Sequence, residues 1–151
     1  MPETPASKTI AIARRAMSYL ELPRDQRAPG YQEVYFDSLS DDVELRFAVP
    51  GDMFLWGEVR RGKDAVRAFF NETPWHEIME ARGFQSEPEY LANEDGSRVV
   101  MLATEGWKLI KTGTEVESCE FAQVMDIQNG LITRILVIQD QSDWTYAYPR
   151  A

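Results

Sequence analysis

The sequence predicts an α+β fold in which a strongly curved, mostly antiparallel sheet wraps over N-terminal helices to form a cone. Three observations carry this reading. Ile10, Ala13, Ala16, Met17 and Leu20 recur at helical spacing near the N-terminus. Gly62 to Phe70 reads as another helix, with Val66, Phe69 and Phe70 on one face. From Phe84 onward, long β-type segments are separated by Glu94-Asp95-Gly96, Lys111-Thr112-Gly113-Thr114 and Gln128-Asn129-Gly130, and the D-G and N-G pairs are strong hairpin cues. Helices first and long strands afterwards make an α+β arrangement. A bent sheet with helices against its concave side has a mouth, and such mouths hold small molecules.

In order along the chain, residues 1–8 read as a disordered lead-in and 9–151 as one domain. Ser7 or Thr9 is placed to cap the first helix, and Pro23 ends it. The segment PRDQRAPG (23–30) reads as a loop, and Tyr31–Leu39 as a short second helix. Ser40-Asp41-Asp42 marks a turn before a strand over Val43–Val49, closed by Pro50-Gly51. Met53–Arg60 reads as a second short strand. Pro74 interrupts the helix that starts at Gly62, and Trp75–Arg82 reads as another helical turn or two. Phe84–Asn93, Val99–Ile110, Glu115–Ile127 and Leu131–Asp140 are the four long strands, and Trp144–Tyr148 caps the end.

Composition narrows the function classes. The chain has 151 residues and a formal net charge of −9, and residues 73–151 hold 13 of the acids against 6 bases. That length fits one domain, which can bury about 70% of its unfolded surface without disulfide or metal support. Seven Phe, six Tyr and four Trp are too many aromatics for a disordered chain. The acidic balance argues against nucleic-acid binding. Cys119 is the single cysteine, which excludes an intramolecular disulfide and suits a reducing cytosol. MPETPASKTI lacks a basic stretch followed by an apolar one, so no signal peptide is expected, and no apolar run reaches membrane-spanning length. A cytoplasmic protein without membrane contact is the expectation. The one basic cluster, Arg60, Arg61, Lys63 and Arg67, reads either as a solvated helix start or as an anion site.

Three segments carry a family resemblance. Gly62-Lys63-Asp64-Ala65-Val66, directly after a short strand, resembles the G-x-x-A-[IV] helix start of the nuclear transport factor 2-like superfamily. Val124 to Arg134, with Asn129-Gly130 at its turn and Asp140 beyond it, resembles that superfamily's final hairpin, and Ser40-Asp41-Asp42-Val43-Glu44 resembles the approach to its first strand. The resemblance runs from about Thr9 to Tyr148 and implies a SnoaL-like protein: a cystatin-like conical α+β barrel, usually a homodimer packed through the outer sheet face, with an apolar pocket. The superfamily includes ketosteroid isomerases, scytalone dehydratase, limonene epoxide hydrolase and SnoaL-like cyclases and hydroxylases, as well as non-catalytic transport and assembly proteins. This chain departs from the isomerases. Their first-strand general-base position falls on Arg46-Phe47-Ala48, and their oxyanion carboxylate position on Phe121-Ala122-Gln123. The last-strand aspartate of the epoxide hydrolases falls on Val137.

Within Val99–Ile110 the odd positions are Met101, Ala103, Glu105, Trp107 and Leu109, apolar apart from one carboxylate. If they face the cone, Glu105 sits among Met and Trp, where its pKa should rise. A raised carboxylate is what proton transfer near neutral pH needs. The bland reading pairs Glu105 with a cation or puts it at the rim in solvent. His76, the only histidine, follows Trp75 near the expected mouth and is either the second titrating group or a surface side chain. Gln123 and Gln139 share parity with Phe121 and Val137; they either hold a substrate oxygen or bond within the sheet. Tyr31, Tyr35, Trp56, Tyr90 and Trp107 are candidates for the aromatic wall, with core packing as the alternative. No metal-ligand spacing, phosphate loop or dinucleotide motif is present, so no metal or cofactor is expected.

The leading expectation is an isomerase, dehydratase or cyclase that transfers protons without a cofactor on an apolar, carbonyl-bearing ligand. Glu105 and His76 would be its catalytic pair. The alternative is a non-catalytic ligand-binding or assembly module of the same fold.

Overall fold

Thr4 starts the first helix. Ser7 N–H donates to Thr4 Oγ1 at 3.0 Å, and Thr4 N–H donates to Ser7 Oγ at 2.9 Å, a reciprocal capping box. Pro5 follows at the first helical position, where its missing N–H costs nothing. Helix α1 therefore spans Pro5–Ala16, and order reaches into the segment expected to be a disordered lead-in. The chain is represented by a computed structural model that describes residues 2–49, 56–140 and 142–149.

After α1 the chain tightens into 3-10 turns at Met17–Glu21 and Arg24–Gln26, either side of Pro23. Helix α2 follows at Tyr31–Asp37, then strand β1 at Leu39–Phe47. The short β2 is only Arg60–Arg61; Pro50 to Leu55 lie outside the described residues. Helix α3 spans Lys63–Glu72 and buries Val66 and Phe69. Helix α4 is a single turn, Trp75–Ile78. Strand β3 begins at once, at Met79, and runs to Phe84. The helical turns expected up to Arg82 give way there because Ala81 and Gly83 pair with β5 and point their small faces into the core. Strand β4 is Glu89–Ala92. β3 and β4 line the same edge of β5 one after the other, with Pro88 between them, so the single strand expected over Phe84–Asn93 is broken in two. Strands β5 (Arg98–Leu109), β6 (Glu115–Gln128) and β7 (Leu131–Gln139) are the long ones. Helix α5, Ser142–Ala147, closes the described chain.

The strands form one mixed sheet in the order β2-β1-β7-β6-β5-β3, with β4 also on β5. Only β1 and β7 run parallel. The sheet is strongly curled but does not close. Its inner face and the helices enclose a core of fully buried side chains that includes Met17, Phe36, Leu39, Val99, Met101, Met125 and Ile135. At the other end, α5 folds back over the sheet and packs Trp144 and Ala147 on Ile78, Trp107 and Leu109. Lys111 Nζ donates to the Ala147 carbonyl at 2.7 Å and lies over the Tyr148 ring, which fastens that helix. None of the described helices is long and apolar enough to cross a membrane.

Candidate functional site: a carboxylate in an aromatic cavity

Between helices and sheet lies a cavity of about 410 Å³. Its wall is aromatic: Tyr19, Tyr31, Tyr35, Phe47, Phe69, Phe70 and Phe121 line it, together with Trp56, Trp75, Trp107 and Trp144. Those four tryptophans are all that the chain contains. Glu105 is the only acidic residue among the described lining residues.

Two sheet irregularities flank Glu105. In β5 the residues alternate in burial, with Val99, Met101, Ala103, Trp107 and Leu109 inside. Opposite β6 the register shifts between Glu105 and Trp107, where Glu105 pairs with Cys119 and Trp107 with Val116. The extra residue is on β6; Gly106 lies opposite it, and a Cβ there would lie 2.6 Å from the Glu117 carbonyl oxygen. The facing strand shifts at the same level, between Ala81 and Gly83. Gly83 has φ +78°, and a Cβ there would meet Leu22 backbone at 2.8 Å. Bulges re-aim side chains in this way next to functional sites.

The Glu105 carboxylate accepts one hydrogen bond, from Gln139 Nε2 at 3.2 Å, and has no ion pair among the described residues. Burial pushes its pKa up from the ordinary 4.5 to about 7; the Gln139 bond and the charge of Arg27 pull in the other direction. The side chain is half-buried and lines the cavity. Burial also raises the Tyr19 and Tyr35 hydroxyls well above their ordinary value, so both stay protonated donors.

The other expected site residues divide. Tyr31, Tyr35, Trp56, Trp107, Phe121, Gln123, Val137 and Gln139 line the cavity. Gln123 is only 8% exposed and stands opposite Met101 and Val137. His76 lies at the rim on α4, but its side chain is 77% exposed and Nε2 is 3.8 Å from Glu77 Oε1. It makes no hydrogen bond or ion pair with Glu105, so the expected pair is not assembled in this conformation. Tyr90 does not line the cavity. Helix α1 covers that end of the sheet, and the Arg14 guanidinium lies 4.6 Å from the Tyr90 ring centroid.

The lining residues missed in the sequence include Tyr19, Arg24 and Arg27. The segment 23–30 folds back over the cavity instead of leading away from it. Arg24 Nη1 donates to the Met79 carbonyl at 3.3 Å, and Arg27 Nε to the Leu22 carbonyl at 2.9 Å. Two arginines in a Pro-bounded loop were the only available signal. The Arg60 cluster is structural. Arg60 caps the Trp56 and Glu58 carbonyls and lies over Phe69, while Arg61 and Arg67 pair with Glu44 and Glu33.

No family model and no curated protein matches the sequence. Solved structures do. An NTF2-like protein of Burkholderia xenovorans superposes with a TM-score of 0.73 at 15% identity, covering 95% of this chain and 97% of that one. A provisional polyketide cyclase of Xanthomonas campestris pv. campestris gives 0.72 at 14% identity, over 95% and 98%. The chain has the nuclear transport factor 2-like, SnoaL-like cone fold. TerC, a further structure with this fold, was co-crystallised with polyporic acid; it gives a TM-score of 0.68 at 20% identity, over 93% and 98%. The cone fold itself hosts both enzymes and binding proteins, so activity must be argued from the cavity.

Proposed function

We propose that this protein is a cofactor-independent isomerase, dehydratase or cyclase that moves a proton on an apolar, carbonyl-bearing small molecule. One observation carries the reading. A single carboxylate, flanked by bulges on both neighbouring strands, stands in an aromatic cavity with its pKa near neutrality. A carboxylate of pKa about 7 is half ionised at physiological pH, so it can take a proton from carbon and return it to a neighbouring atom. Gln139 and Gln123 are placed to orient the substrate oxygen, and the Tyr19 hydroxyl to donate to an oxyanion. That solved neighbours are named as polyketide cyclases, and that TerC was crystallised with polyporic acid, supports a ring-bearing substrate.

A probe that needs only one base tests this without the natural substrate. The ring of 5-nitrobenzisoxazole opens when a base removes the proton on carbon 3, next to the ring nitrogen; the N–O bond breaks and a coloured cyanonitrophenolate is released. The protein should accelerate this opening at least tenfold over an equal concentration of acetate, and Glu105→Gln should abolish the acceleration. Equal rates in the two proteins would remove Glu105 from the chemistry. The outward-facing His76 favours one second reading, a ligand-binding module with no second titrating group at hand. That reading expects binding in the cavity and no acceleration.

We also infer a homodimer through the convex sheet face. Val100, Val124 and Leu136 are direct cross-strand neighbours there, as are Leu102, Ala122 and Ile138. Leu91, Leu102 and Ile138 are 50%, 40% and 45% exposed. A second copy would cover this stripe.

A further inference from the structure

Charge and donor balance in the cavity say more about its ligand. The described lining residues include two guanidinium groups, Arg24 and Arg27, and one carboxylate whose pKa lies near neutrality. Neither arginine forms an ion pair among the described residues. Burial lowers the Arg24 pKa. Arg27 lies against two cavity rings, 5.5 Å from the Tyr19 centroid and 5.3 Å from Tyr31. Its Nε is used on Leu22, while Nη2 is buried with no protein partner. Trp107 Nε1, also among the lining residues, is a second buried donor with no protein partner. The wall thus offers surplus positive charge and unpaired N–H groups. Buried charges and donors are costly until they are matched.

We propose that the substrate carries an ionised oxygen, a carboxylate or an ionised enol, on a flat apolar body, and that Arg27 is the residue that docks it, with Arg24 adding to the field. The proposal rests on the reading of the cavity as a small-molecule site. The guanidinium fork matches a planar anion through two parallel hydrogen bonds, and a side-chain rotation of the kind that commonly accompanies binding turns Nη2 from the tyrosine rings toward the ligand. Docking the anion at Arg27 places the apolar body among the four tryptophans. Arg27 therefore decides which molecules are held and in which orientation, while Glu105 acts on them.

The probes are 2-naphthoate and 2-naphthamide, which share a body and differ in charge. Because every tryptophan lines the cavity, quenching of intrinsic fluorescence reports occupancy directly. At pH 6, where Glu105 is mostly protonated, naphthoate should bind at least tenfold more tightly than naphthamide. Added sodium chloride should weaken naphthoate alone. In Arg27→Gln the two affinities should come within threefold, with naphthamide little changed, and Arg27→Lys should restore part of the preference. Far-UV circular dichroism checks that the variants fold, and the salt series on the unaltered protein needs no variant. Equal binding of both probes by the unaltered protein would overturn the anion proposal and leave the pocket reading standing. A preference that persists in Arg27→Gln would remove Arg27 from it. Quenching by neither probe would overturn the pocket reading and this proposal together.

Discussion

Replacing Glu105 by Gln should change how stability depends on pH, and this can be measured without any substrate. In the folded protein the carboxyl titrates near 7, against 4.5 ordinarily. Each unit of displacement corresponds to about 1.4 kcal/mol. Between the two values the folded state holds a proton that the unfolded state has released. Stability must therefore fall as pH rises through that window, and above pH 7 the charged, buried carboxylate costs about 3 kcal/mol relative to the acid form. A glutamine has the same shape and never ionises. Urea unfolding of both proteins at pH 5 and pH 8.5 separates this effect from every other titration, because the other groups are common to both. The two proteins should have similar stability at pH 5. At pH 8.5 Glu105→Gln should be more stable, by up to about 3 kcal/mol. Profiles that run parallel from pH 5 to 8.5 would refute the placement of Glu105 in a poorly solvated cavity.

Two other predictions address the frame of the site. Gly106→Ala would put a methyl group 2.6 Å from the Glu117 carbonyl oxygen, so it should cost about 1–3 kcal/mol in urea unfolding and reduce the carbon-deprotonation rate; unchanged values for both would mean that the bulge does not aim Glu105. Leu102→Glu with Ile138→Glu should convert a dimer to a monomer in light scattering while leaving the circular dichroism unchanged; a monomeric unaltered protein at micromolar concentration would overturn the convex-face interface.

The parts of this molecule that were legible in the sequence are those governed by local periodicity. The parity of β5, which turns Met101, Glu105 and Trp107 to the same side, follows from the two-residue repeat of any strand. The Asp95-Gly96 and Asn129-Gly130 turns delimit β5 to β7 because few other pairs adopt that geometry. The start of α1 was also written locally, in Thr4, Pro5 and Ser7, although Ser7 and Thr9 looked equally able to cap it. By contrast, the switch from α4 to β3 at Met79 is imposed by pairing with β5, a contact about 30 residues away in sequence. The direction taken by 23–30, and with it the placement of Arg24 and Arg27 in the cavity wall, depends on how that loop packs across Met79 and Leu22. The same dependence removed Tyr90 from the wall, because α1 occupies that end, and turned His76 outward on a helix of one turn.

Proton transfer by Glu105 near neutral pH requires that its carboxyl titrate there. Carbon-13 NMR of the glutamate side-chain carboxyls, with the Glu105 signal assigned by its loss in Glu105→Gln, reads this group directly. Its midpoint should lie near 7 and move higher in Gln139→Leu, which removes its one hydrogen bond. A midpoint near 4.5, unmoved by Gln139→Leu, would contradict the account.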